Sequence, residues 1–235
     1  MKEDDDDRLD ACTSIICADH SIRPLPKTHS TWMERHRPQT VSECVLPNTL
    51  KARIRRLIGK GTMPHLLLVG PPGVGKTTVA LAIGKELGWH TLVVNAAIHA
   101  GMTSMRAEIS DFVTDPSIYH QHRCVLFEEA DRMQANAQVA THSWLENYDE
   151  RCSFIFTTNF PEKIGAPVKS RSLTLDFNYD VEPARTEMRK GFQSRLREIL
   201  AVEQVECDED VLDAVLDECW PDFRQMLNVL ESEVG

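Results

Sequence analysis

One octapeptide constrains this chain more than anything else in it. Gly70-Pro-Pro-Gly-Val-Gly-Lys-Thr77 fits GxxxxGK[ST] in full, directly after a short apolar run and directly before a helical pattern. Glycines let the backbone curl so that successive N–H groups point inward at phosphate oxygens. They do so at a helix N-terminus, whose dipole favours anions. Lys76 has the reach for β- and γ-phosphates, and the Thr77 hydroxyl can ligate Mg²⁺. Gly73, Val74, Gly75, Lys76, Thr77 and Thr78 are therefore the expected phosphate cradle.

The surrounding pattern agrees. His65–Val69, Thr91–Val94, Arg123–Phe127, Ser153–Thr157 and Leu173–Phe177 are short apolar runs that read as strands. Helical segments separate the first four: Lys76–Leu87, Ser104–Val113 and Gln134–Tyr148. Continuous apolar strands alternating with helices predict an α/β fold with a parallel sheet covered on both faces. After Asp180 the alternation stops, and Pro183–Val202, Asp208–Cys219 and Pro221–Val234 read as three helices. The expected division is a nucleotide-binding α/β domain over 32–180 and a small all-helical lid domain over 181–235. Residues 1–31, with an Asp run and two prolines, read as a disordered acidic extension. Upstream of the loop, Leu50, Ile54, Leu57 and Ile58 mark one buried face of a helix over 47–60. Its Lys51, Arg53, Arg55, Arg56 and Lys60 read as a solvated face rather than a DNA-contacting one.

Composition removes several classes. No apolar stretch approaches the roughly 18–20 residues that span a bilayer, and the start, MKEDDDDRLD, is acidic where a leader would be basic and then apolar. No membrane partner and a cytoplasmic location are expected. Seven scattered cysteines without a CxxC pair argue against a disulfide framework or a zinc site, the Cys12/Cys17 pair included. His120-Gln-His122 has a spacing a metal could use but no carboxylate cluster beside it, and reads as loop. The net charge of −10 sits at the two ends of the chain, which leaves a mildly basic middle free to bind phosphate.

A triphosphatase also needs acids at the end of a neighbouring strand. Cys124-Val-Leu-Phe-Glu-Glu129 supplies an apolar strand that emerges with two. Glu128 is placed to hold Mg²⁺, and Glu129 to orient and activate the attacking water.

With these residues in view the chain resembles the AAA+ ATPases, and within them the sliding-clamp loader subunits of DNA replication. Its likeness is closest to the large clamp-loader subunit of T4-like bacteriophages. The resemblance rests on Trp32-Met-Glu-Arg-His-Arg-Pro38, Ser42-Glu-Cys-Val-Leu-Pro47, the phosphate loop and Glu128-Glu-Ala-Asp-Arg132. It continues through Ser153-Phe-Ile-Phe-Thr-Thr-Asn159, Ser170-Arg171-Ser172 and Trp220-Pro-Asp-Phe-Arg224.

The resemblance implies ATP and Mg²⁺ as ligands. It implies the other clamp-loader subunits, a sliding clamp and primer–template DNA as partners. For a phage chain it implies the host cytoplasm as location. Met33, Glu34, Arg35 and His36, with Val45, match the segment over the adenine. Asn159 matches the residue that senses the γ-phosphate, and Arg171 the finger given to the neighbouring subunit's nucleotide. Arg224 matches the arginine that closes the lid.

Three departures stand out. Glu128 replaces the family's Asp, which moves the carboxylate outward by one methylene. The family's C-terminal helical collar is absent by Gly235. No basic counterpart stands in Ala96–Met105, although Arg106 matches a family arginine. The expected function is ATP-driven clamp loading. The alternatives are another AAA+ remodeller, such as a helicase loader or branch-migration motor, and a nucleotide-binding structural subunit with weak ATPase.

Overall fold

The computed structural model describes residues 15–16, 31–61, 63–97, 102–115, 122–148 and 152–234. The expectations for residues 1–31 fall outside them, Ile15, Ile16 and Thr31 apart, as do those for Cys12, Cys17 and His120.

The five expected strands all form: β2 (His65–Val69), β3 (His90–Asn95), β4 (Arg123–Glu128), β5 (Cys152–Thr158) and β6 (Ser172–Asp176). They pair in parallel in the order β3-β4-β5-β2-β6. β1 (Ile15–Ile16) adds an antiparallel edge to β3, which sequence patterning does not show because two residues carry no period. The order also corrects the expectation that the acidic strand neighbours the phosphate-loop strand. β5 lies between β2 and β4.

Alternation along the strands sends side chains to two cores. Leu66 and Leu68 of β2 join one core and Leu67 the other. The first core receives α2 (Asn48–Gly59), α3 (Lys76–Glu86) and the C-terminal helices α7 (Ala184–Glu203), α8 (Glu209–Glu218) and α9 (Phe223–Val234). The second receives α4 (Met102–Thr114), α5 (Ala135–Asn147) and α6 (Ala166–Arg171). There Phe127 of β4 stacks on Phe156 of β5 with centroids 5.1 Å apart. Each fully buried aromatic or Leu/Ile side chain contributes about 1.5–3 kcal/mol, so strand register is fixed from both faces.

Helix α1 (Trp32–Arg35) and α6 are too short to show a 3.6-residue period, and the apolar pattern misses both. On α2, Leu50 and Ile54 are buried as expected, and three of its basic side chains serve the chain itself. Lys51 donates to Ser42 O at 2.8 Å, Arg55 to Ser42 Oγ at 3.1 Å and Arg53 to Thr174 O at 3.3 Å. His122 Nε2 lies 2.9 Å from Ser153 Oγ, beside the Trp89 ring. No helix among the described residues is long and apolar enough to cross a membrane.

Candidate functional site

The phosphate loop leaves the C-terminal end of β2 and enters α3. Gly73 (φ 71°) and Gly75 (φ 90°) occupy the left-handed region, where a Cβ is strained. No side chain caps α3, so its first-turn N–H groups face the loop with their positive end of the helix dipole. Lys76 opens that helix and is 8 % exposed. Its Nζ donates to Gly70 O (2.8 Å), Pro71 O (2.6 Å) and Asn159 Oδ1 (2.8 Å). Burial, then the positive charge of Arg224, pulls its pKa down to about 8, while Asp131 and Asp222 pull the other way.

Because β5 is the strand between β2 and β4, Asn159 emerges between the phosphate loop and the acidic turn. Glu128 ends β4. Glu129 takes a left-handed conformation (φ 51°) that starts the turn Ala130–Arg132, and it pairs with Arg132 Nε at 2.8 Å. Asp131 follows on that turn. Its Oδ1 accepts from Thr158 Oγ1 (2.8 Å) and from the Asn159 backbone N–H (3.2 Å), fixing the end of β5 to the acidic turn. No spacing or motif in the sequence points to this task for Asp131.

These groups border one cleft of about 410 Å³. Its polar end holds Gly73 through Thr78, Glu128, Glu129 and Asn159. Its other end holds Met33, His36 and Val45 from the N-terminal strap, Phe192 and Arg195 from α7, and Phe223 and Leu227 from α9, while Arg224 of α9 borders the cleft close enough to Lys76 to act on its charge. Arg224 is exposed at the mouth. Asp222, just before α9, packs so close to the loop that a Cβ on Gly73 would lie 1.7 Å from its Oδ1.

Three of the residues singled out from the sequence do not border this cleft. Met33 on the single turn of α1 and His36, the residue that caps it, sit three apart and share a face, which turns Glu34 and Arg35 away. Glu34 is exposed, and Arg35 pairs with Glu203 at 2.7 Å. Of the four residues expected over the base, the cleft brings together Met33 and His36 and leaves out Glu34 and Arg35. Arg171 ends α6 and pairs with Glu146 at 2.7 Å. In the β2–β6 register His65 faces Ser172 while Val69 faces Asp176, so Arg171 stands a full strand length from its own phosphate loop. Phe192, Arg195 and Asn95 carry no motif, and only the fold brings them to the cleft.

Residues 66–179 match the model of the ATPase family associated with various cellular activities (AAA). A replication factor C small subunit of Methanococcus maripaludis is 33 % identical over 207 residues, which is 86 % of this chain and 64 % of that protein. One from Staphylothermus marinus is 34 % identical over 207 residues, 86 % of this chain and 61 % of that protein. The chain thus spans a little under two thirds of the length of these relatives. Among solved structures, the Thermotoga maritima RuvB Holliday junction branch migration motor superposes with a TM-score of 0.68 at 18 % identity, covering 83 % of this chain and 64 % of that one. That likeness concerns the fold alone.

Proposed function

From a chain that carries an AAA+ P-loop domain and has replication factor C small subunits among its relatives, we propose an ATPase that loads sliding clamps. ATP and Mg²⁺ are its ligands. Its partners are further loader subunits, the clamp and primer–template DNA. The single observation that supports this most is the Asn159 side chain bonded to Lys76 beside the Glu128–Glu129 turn. Phosphate loop, acids and sensor thus border one cleft. The relatives named above carry the clamp-loading part of the reading. The likeness to a T4-like phage subunit rests on the sequence motifs alone.

The residues present fit a nucleotide with its metal. The uncapped start of α3, two left-handed glycines and a buried lysine form an anion cradle. Thr77 and Glu128 supply the oxygen donors Mg²⁺ prefers. When bound, the metal neutralises charge on the phosphoryl oxygens.

The placement of these residues supports a role for each. Lys76 exchanges its bonds to Gly70 O and Pro71 O for phosphate oxygens. Glu129 leaves its exposed pair with Arg132 to accept the proton of the attacking water. Asn159, held by Asp131 through its backbone, orients that water. Helices α7–α9 act as a lid over 181–235, with Arg224 brought down onto the phosphates. Arg171 lies too far from its own loop to serve it and is offered to the neighbouring subunit.

Steady-state ATP turnover with and without a sliding clamp and primer–template DNA tests this reading. The expected result is stimulation by about tenfold or more when both are present. Turnover indifferent to clamp and DNA would leave an ATPase of another kind.

A further inference from the structure

The strap over the apolar end of the cleft is tied to the C-terminal helices by groups that the steps above do not use. Glu203, in the last turn of α7, takes two neighbours at once. Arg35 Nη2 is 2.7 Å from its Oε2, and His36 Nε2 is 2.5 Å from its Oε1. Burial works against that carboxylate, yet the His36 hydrogen bond and the Arg35 charge hold its pKa below the usual range. Arg195, two turns earlier on the same helix, donates from Nη2 to His36 O at 3.0 Å. Its Nη1 is steadied by Glu198 Oε2 at 3.0 Å, and its side chain borders the cleft. On α9, both carboxylate oxygens of Glu231 lie 3.1 Å from the Trp32 N–H.

The bonds converge on one residue. His36 is fixed by its ring through Glu203 and by its carbonyl through Arg195, and His36 borders the apolar end of the cleft beside Met33, Val45 and Phe192. Most surface ion pairs contribute little because water screens them. Here the side chains of His36 and Glu203 are only 12 % and 19 % exposed, and two partners hold the carboxylate at once.

We propose that Glu203 and Arg195 are positioning residues for the base of the nucleotide: they set His36, and with it the strap, against the apolar end of the cleft. This rests on the reading of the cleft as an ATP site. It assigns Arg35 a structural task, as the second arm of the Glu203 clasp. It also separates the two ends of the ligand, because neither Glu203 nor Arg195 approaches the phosphate loop through any bond described above. Affinity for the whole nucleotide should depend on the clasp, and affinity for a bare phosphate chain should not.

The test is competition binding on the full chain with Mg²⁺ present, using two probes, ATP and inorganic triphosphate. Glu203→Ala should weaken ATP by about tenfold and inorganic triphosphate by less than about twofold. Glu203→Gln keeps an oxygen acceptor and should recover most of the loss. Arg195→Ala should reproduce the selective effect. Equal weakening of both probes would mean a general defect of the fold, and unchanged ATP affinity in Glu203→Ala would mean that the clasp does not serve the base. Either result overturns the inference while leaving the ATP site standing. A wild-type chain that bound neither probe would overturn the site and the inference together.

Discussion

Lys76 Nζ and Asn159 Oδ1 are 2.8 Å apart, so the phosphate loop is already bonded to the end of the strand beside it. The other two ammonium hydrogens go to Gly70 O and Pro71 O. All three donors of the lysine are committed within the protein, and an arriving triphosphate has to replace them. The same enclosure makes the ammonium costly. Burial and the nearby Arg224 lower its pKa to about 8.

That value gives nucleotide binding an alkaline limb. Without nucleotide, Lys76 is charged below pH 8 and loses its proton as the pH rises through that value. Phosphates beside it favour the ammonium, so binding above about pH 8 must take up a proton and weaken as pH rises further. Calorimetric titrations in buffers of different protonation heat would show that uptake. Constant affinity with no proton uptake up to about pH 9.5 contradicts the lysine's place in the site.

Lys76→Ala removes the only cation on the loop itself. ATP affinity should fall by about 100-fold or more, as for a lost charge-assisted contact to phosphate. Near-normal turnover in this variant would mean that the loop is not where ATP is used.

Gly73 carries two constraints at once: a left-handed backbone and the Asp222 carboxylate where a Cβ would stand. Gly73→Ala should therefore cost about 1–3 kcal/mol from backbone strain alone. It should also push the start of α9, and Arg224 with it, off the loop. Thermal unfolding and ATP affinity should both drop. A variant as stable and as tight as wild type would show that the Asp222 contact is dispensable.

What the sequence made legible and what it hid divide along physical lines. The phosphate loop, the apolar strands and the Glu128–Glu129 pair are local signals with fixed spacing, and each appears where the pattern puts it. Strand order is not local. Nothing in the runs themselves says that β5 enters between β2 and β4, which is what brings Asn159 beside Lys76. Side-chain direction on a single helical turn is equally invisible, and Arg35 therefore reads as a ligand contact although it faces Glu203. Asp131 lies inside a quoted motif, but its task appears only once Thr158 and Asn159 arrive from another strand. Phe192 and Arg195 look like one face of a long amphipathic helix. Only the packing of α7 over the strap turns that face into the wall of a cleft.

Arg171 offers a test of assembly. Its distance from its own loop means that Arg171→Ala should bind ATP normally as an isolated chain. If the chain works in a clamp loader as proposed, turnover stimulated by clamp and DNA should fall by a factor on the order of 10³, the size of effect an arginine finger has. Mixing Arg171→Ala with Lys76→Ala subunits should restore part of the activity, since each supplies what the other lacks at a shared interface. No recovery, with both variants incorporated, would mean that Arg171 does not act across an interface.

The most direct measurement is ATP binding and single-turnover hydrolysis for Glu129→Gln beside wild type, with Mg²⁺ present. The carboxylate sits on the turn after β4 at the cleft wall and, among the described residues, pairs with the exposed Arg132. Its amide replacement should hold ATP with nearly wild-type affinity while hydrolysis slows by about 100-fold or more, because an amide cannot take the water's proton. The Glu128→Gln variant should instead raise the Mg²⁺ concentration that hydrolysis needs. Hydrolysis by Glu129→Gln at close to the wild-type rate would contradict the account at its centre.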